Sequence, residues 1–324
     1  MANQALLKSV AECEYPEEFL MSRLLGKMGK QPHNWDALLA SSDAVESMRN
    51  MPCYPYLKKY SVPGIWHFLR DEYLWVYKRM NNRLRQHFEH YFAYNEINNL
   101  HMCLRFLWHG EVPEHIRQEL SQSLLHEDIL ALLRGKKGFS EILNAIETRL
   151  CAYAKQFAGL GVCYEKKGVS GLESYLRESL FTFICVQRQP PILQFFFRAL
   201  IDFYNCMSVA KSMRWEINTV PSIIPGGTVP IARFKRACLR KDLLPVLRLL
   251  HLPDPERSIS DLARLEISLL HTISFKLKTW SYQRDVDAVI LFYLWEQYRY
   301  TRNISVILIT APLSQESVRE NIVA

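Results

Sequence analysis

The sequence predicts an all-α chain. Apolar residues recur three or four apart over long stretches, no segment alternates like a half-buried strand, and glycine is scarce. Glycine is 12 of 324 residues, against ~7% in average chains. Both β-barrels and nucleotide-binding α/β folds need it in their loops, so both are disfavoured. Hydrophobic residues at 49% and charged residues at 23% are those of a chain with a core, which excludes disorder as the main state.

Residues 15–27 carry Phe19, Leu20, Leu24 and Leu25 at helical spacing. Residues 43–49 open with Asp43 and Glu46, a variant of the capping box. The strongest signal is residues 63–92, where Ile65, Phe68, Leu69, Val76, Met80, Leu84, Phe88 and Phe92 form one apolar stripe. Arg70, Asp71, Lys78, Arg79, Arg83 and Arg85 stand opposite, and Pro63 suits a first turn. As a single helix this segment would be a strut about 45 Å long at 1.5 Å per residue.

Residues 113–125 and 191–213 each open with proline, and residues 140–157 repeat Ile142, Leu143, Ile146 and Leu150. Residues 260–277 and 285–309 complete the helices. The run Val306-Ile307-Leu308-Ile309 would be a strand on propensity alone; its setting predicts buried helix. Breaks containing glycine fall at 135–138, 159–168 and 224–227. No long linker or low-complexity tract separates them, so one compact body is expected.

Lys and Arg number 40 against 33 Asp and Glu, a net charge of +7. That mild excess suits an acidic partner or anionic lipid headgroups, and equally a soluble protein that is merely basic. Arg233, Lys235, Arg236, Arg240 and Lys241 are the densest basic cluster. With Phe234 they would suit nucleic acid; an acidic protein or headgroups would serve as well, and a solvated helix face is the plainer alternative. The eight cysteines form no CxxC pair and no zinc-finger spacing. Several, such as Cys185, lie in apolar helical stretches, so buried thiols in a reducing compartment are expected. The N-terminus lacks the pattern of a signal peptide. The longest apolar runs, 180–186 and 288–295, are short of the ~20 residues that cross a bilayer, so a protein that lies against a membrane at most is expected.

Little points to a reaction centre. His87 and His90 are three apart and could share a metal, but no third ligand stands near them, so surface or interhelix roles are expected. There is no HExxH, no GxGxxG after a strand and no GxxxxGK[ST]. Pro225-Gly226-Gly227-Thr228 could cradle an anion ahead of a helix; a turn with positive φ followed by an N-cap at Thr228 is the plainer reading. No catalytic residue, metal or cofactor is expected.

An internal repeat is more informative. One copy reads Asn95-Glu96-Ile97-Asn98-Asn99-Leu100 with Leu104-Arg105 behind it. A second reads Ile201-Asp202-Phe203-Tyr204-Asn205-Cys206, and a third Tyr300-Thr301-Arg302-Asn303-Ile304. Asn99, Asn205 and Asn303 lie 106 and 98 residues apart. The first two copies have an acid three positions before the Asn; the third has Tyr300. The stretches 112–117 and 313–319 also run parallel. Asn is a poor residue inside a helix, and a side-chain hydrogen bond to backbone or to the next helix would explain it. Three related lobes around a pseudo-threefold axis, 1–124, 125–227 and 228–324, would follow.

These elements resemble a family of V/A-type ATPase central-stalk proteins, designated C in archaea and bacteria and d in the eukaryotic V-type enzyme. Asn98-Asn99-Leu100 with Leu104-Arg105 is similar to the family's Asn-Leu…Leu-Arg helix. Ile224-Pro225-Gly226-Gly227 resembles its Pro-Gly-Gly turn, and Tyr293…Arg302-Asn303-Ile304…Val318-Arg319 its closing stretch. Tyr15, Ser22-Arg23-Leu24 and the segment from Leu57 to Tyr60 also fit. The resemblance implies a funnel-shaped body of three similar helical lobes on the cytoplasmic side of the membrane. Its partners would be the central-stalk subunits of the ATPase head and the membrane proteolipid ring, with contact to lipid headgroups and none to nucleic acid. Its role would be non-catalytic: a socket passing rotation between stalk and ring for ion transport. A helical nucleic-acid-binding or regulatory module using the basic face is the alternative.

Overall fold

The computed structural model describes residues 6–310 and 321–323, apart from 12, 14, 30–34, 40, 42, 61, 111–112, 114–115, 117–119, 136 and 218. The fold is all-α, as the sequence predicts: among the described residues there is no strand, only one isolated antiparallel bridge between Leu7 and Leu125. In order the helices are α1 Glu17–Met28, α2 Trp35–Leu39, α3 Ala44–Ser47, α4 Tyr54–Tyr60, α5 Val62–Arg79, α6 Asn82–Trp108, α7 Glu127–Arg134, α8 Phe139–Tyr153, α9 Leu160–Ile184, α10 Pro191–Arg214, α11 Ile231–Arg240, α12 Leu244–Leu249, α13 Pro255–Ser258, α14 Leu262–Ser281 and α15 Val286–Thr310. A 3₁₀ turn, Lys155–Phe157, joins α8 to α9.

The chain packs as two compact units, one of residues 1–14 with 74–193, the other of 15–73 with 194–324. Two of the boundaries between them fall inside α5 and α10, and the third lies ahead of α1. The lobes 1–124, 125–227 and 228–324 follow the sequence repeat, whereas these units follow packing.

In the first unit α6 packs on α9, and α9 on α8. Leu84, Phe88, Phe92, Ile97, Leu100 and Leu104 form the buried stripe of α6. Ile142, Leu143, Ile146 and Leu150 answer from α8, and Leu172, Leu176, Leu180 and Phe181 from α9. Each such side chain contributes about 1.5–3 kcal/mol on burial. The break expected at 159–168 is marked at both of its ends: Gly159, at φ 103°, stands ahead of α9, and Gly168, at φ 65° and ψ −165°, leaves helical geometry inside it, where two helical segments meet at a kink. Glu147 fixes the start of α9 by accepting from the backbone N–H of Gly159 at 2.6 Å and Gly161 at 2.8 Å.

The single strut over 63–92 does not form. It divides between Arg79 and Asn82, because Asn81 is extended (ψ 175°) and its side chain accepts from Leu84 N at 2.9 Å, an N-cap. Arg85 then donates to Tyr77 O behind the break at 3.3 Å, and to Val10 O and Ala11 O at 2.7 Å. Val76, Met80, Leu84 and Phe88 are all buried. The stripe therefore passes through the break unaltered, which is why periodicity alone joins the two helices.

In the second unit α15 packs against α1 and α14. Ala288, Val289, Ile290, Leu291, Tyr293, Leu294 and Trp295 are all buried, as a central helix requires. The run at 306–309 is helical, with Ile307 buried and Ile309 exposed. A second cluster joins Cys206 and Val209 of α10 to Phe234 and Ala237 of α11, Val246 and Leu247 of α12, and Leu265 and Leu269 of α14. Asp43 caps α3 by accepting from Glu46 N at 2.9 Å. The helix expected over 113–125 and the parallel tails 112–117 and 313–319 fall largely or wholly outside the described residues. Cys53, Cys103, Cys163 and Cys206 are buried, but Cys185 is exposed. It sits at the C-cap of α9, one residue past the buried face, and so departs from the expected burial.

Replacing Asn81 with alanine is expected to cost about 1 kcal/mol, read as a lower midpoint in chemical denaturation. An unchanged midpoint would contradict the cap.

Candidate functional site

The repeat is a set of joints. Helices α6, α10 and α15 each carry a buried polar group that reaches outside its own helix. In α10, Asn205 is 1% exposed. Its Nδ2 donates to Ile224 O at 2.9 Å and its Oδ1 accepts from Ile224 N at 2.8 Å. In α15, Asn303 does the same to Val323: Nδ2 to Val323 O at 2.9 Å, Val323 N to Oδ1 at 3.0 Å. The clamped residues lie 19 and 20 positions after their Asn. An amide side chain thus meets both backbone groups of one residue, as a neighbouring strand would.

The acid three positions earlier makes a second joint. Glu96 accepts from Ser123 Oγ at 2.6 Å and Leu124 N at 2.8 Å. Asp202 accepts from Thr228 N at 2.8 Å, from Thr228 Oγ1, and from Val229 N at 3.2 Å. The hydroxyl partners stand 27 and 26 residues beyond their acids. Burial raises the Asp202 carboxyl above its usual range, opposed by the Thr228 and Val229 donors and by the Lys276 charge. Each carboxylate is committed to the backbone it holds.

The copies differ where their sequences differ. Asn99 is half-buried and donates from Nδ2 to Glu96 Oε2 at 3.3 Å, so it orients the acid. Positions 118 and 119, where an equivalent clamp would fall, are outside the described residues. Tyr300, in the place of an acid, turns to Cys53 Sγ at 3.1 Å and Met51 Sδ at 3.4 Å.

Pro225-Gly226-Gly227-Thr228 combines both readings of the motif. Gly226 has φ 99°, the positive-φ turn. A side chain at Gly227 would collide with Asp202 Oδ1. The anion in this cradle is therefore the chain's own Asp202. Thr228 does not cap α11, which starts after Pro230 without a side-chain cap; its hydroxyl is spent on Asp202. Sequence reasoning finds the three Asn and both acids, takes Thr228 for an N-cap rather than for the partner of Asp202, and misses Ser123. The common offset of the two hydroxyls from the acids is the available signal.

Arg233, Lys235, Arg236 and Arg240 are exposed on α11, and exposed Lys241 forms its C-cap with φ 52°. None of the five pairs with a carboxylate among the described residues. Leu239 is exposed beside them, while Phe234 is fully buried. Phe234 is therefore a core anchor and cannot stack on a base, which corrects the pairing that made nucleic acid attractive. His90 meets Tyr153 OH through Nδ1 at 3.0 Å and sits edge-on to Phe183. Burial lowers its pKa to about 4, so the ring is neutral at neutral pH. His87 is half-buried on the same helix. Among the described residues no three His, Cys, Asp or Glu are grouped to hold a metal.

The chain matches no family model and no curated protein.

Replacing Asn205 with leucine should destabilise the protein by about 1–3 kcal/mol, since Ile224 would keep two buried backbone groups without partners. Thermal and denaturant melting measure this, and an unchanged curve would contradict the clamp.

Proposed function

We infer that the chain is a non-catalytic rotor component of a V/A-type ATPase, of the kind designated C or d, coupling the central stalk to the membrane proteolipid ring. The observation that carries this reading is the repeated joint of Glu96/Asn99, Asp202/Asn205 and Asn303 in an all-α chain. It falls on the residues where the resemblance lies: the Asn-Leu…Leu-Arg helix, the Pro-Gly-Gly turn and the Asn-Ile tail. A part that passes torque must resist local bending. Joints that tie the segment after a long helix back onto that helix supply such resistance, because bending would strip buried polar groups of their partners.

Among the described residues no helix is long and apolar enough to cross a membrane. On this reading the chain attaches peripherally at the cytoplasmic face. The exposed cations of α11 suit an acidic stalk surface or anionic headgroups. The repeat would mark three related lobes, and the ion would be carried by the ring.

Affinity purification of the tagged chain from native membranes tests the proposal. It should recover ATP-hydrolysing head subunits and proteolipid, and Arg236→Glu with Lys241→Glu should reduce that recovery. Recovery of nucleic acid that survives high salt, with no ATPase subunits, would contradict it.

A further inference from the structure

The positive charge of the chain is gathered in one stretch. Residues 203–253 hold eight Lys and Arg against two acids, Glu216 and Asp242, and so six of the seven net charges. Five of those cations are the exposed residues of α11 and its C-cap, none paired with a carboxylate among the described residues. Lys211 and Arg214, exposed at the end of α10, are two more. Apolar side chains stand in water among them. Leu239, between Arg236 and Arg240, is 76% exposed, the highest value of any large apolar residue among the described ones. Trp215 is 62% exposed directly after Arg214, and Ile217 and Val220 are exposed beyond it.

Packing presents these groups together. Helix α11 buries Phe234 and Ala237 in the core cluster of the second unit, and Met213, Ile223 and Cys238 pack against that same cluster. Trp215 and Leu239 follow Met213 and Cys238 closely in the chain, so both stand at the rim of one core. The segment after α10 is held, not loose: Ile217 N donates to Ser212 O at 2.9 Å, and buried Ser212 donates from Oγ to Ile217 O at 3.3 Å, with Thr219 O at 3.4 Å. Exposed apolar groups set among unpaired cations match the surface of an anionic bilayer. There the cations meet headgroups while the apolar side chains enter the interfacial layer, which tryptophan favours. Nucleic acid fits less well, because Phe234 is buried and Leu239, Ile217 and Val220 give a base no ring to stack on. An acidic protein would answer the cations, but it would need an apolar seat for each exposed side chain as well.

We propose that α11 and the segment after α10 form a binding surface for an anionic lipid bilayer, with the cations on the headgroups and Trp215 and Leu239 entering the interface. The proposal deepens the peripheral attachment inferred above and rests on that reading for the membrane met in the cell. Cosedimentation of the full chain with vesicles of roughly one part phosphatidylserine to two of phosphatidylcholine tests it directly. The chain should bind these vesicles and leave phosphatidylcholine alone unbound. Lys235→Glu with Arg236→Glu should weaken binding by about tenfold or more, and Trp215→Ser with Leu239→Ser should do so by about tenfold at the same salt. All four side chains are exposed, so melting followed by circular dichroism should be unchanged; if either pair does not fold, Arg233→Gln and Leu239→Asn singly take its place. No binding to the anionic vesicles, equal binding to phosphatidylcholine, undiminished binding by a folded apolar variant, or tighter binding to a single-stranded oligonucleotide would each overturn the surface. Vesicle binding by a chain that recovers no ATPase subunits would uphold it and remove the rotor reading; recovery of those subunits without vesicle binding would do the reverse.

Discussion

An amide or carboxylate buried in the middle of a helix cannot be satisfied by that helix, whose own backbone groups are already paired. It must either draw in a segment from elsewhere or leave its polar atoms unmet. Asn205, Asn303, Glu96 and Asp202 all draw in the segment that follows their own helix. Much else depends on this. The loop after α10 must offer both backbone groups of Ile224 to one side chain. It must turn at Gly226 and keep Gly227 bare, because the Asp202 carboxylate occupies that space. Helix α11 then begins where the turn releases the chain, which directs Phe234 into the core and the basic side chains into solvent.

The helices are legible because burial and the 3.6-residue period coincide along them. Ile142, Leu143, Ile146 and Leu150 fall on the buried face for that reason, and the same holds for the flanks of α10, α14 and α15. The break at Asn81 is not legible, since its cap costs the apolar stripe nothing: the buried positions on either side keep their spacing of four. The short helices α12 and α13 are hidden because proline signals a stop, whereas in the structure it is tolerated at their first turns. The glycine break at Gly168 is legible, because its backbone leaves helical geometry there.

The repeat is visible as three asparagines, but their partners are not. A clamp needs only a backbone N–H and C=O from the receiving residue, so Ile224 and Val323 carry no side-chain signature. The hydroxyl partners Ser123 and Thr228 do carry one, in their shared offset.

Native-state hydrogen exchange at the backbone amides of Leu124, Ile224, Thr228 and Val323 tests the joints most directly. Each lies outside a helix, and its N–H has a buried side chain as acceptor. Protection comparable to the cores of α6, α10 and α15 is expected, with Ile224 alone released when Asn205 loses its amide. Exchange at the rate of an open loop in the unmodified chain would mean that the long helices do not hold the segments that follow them.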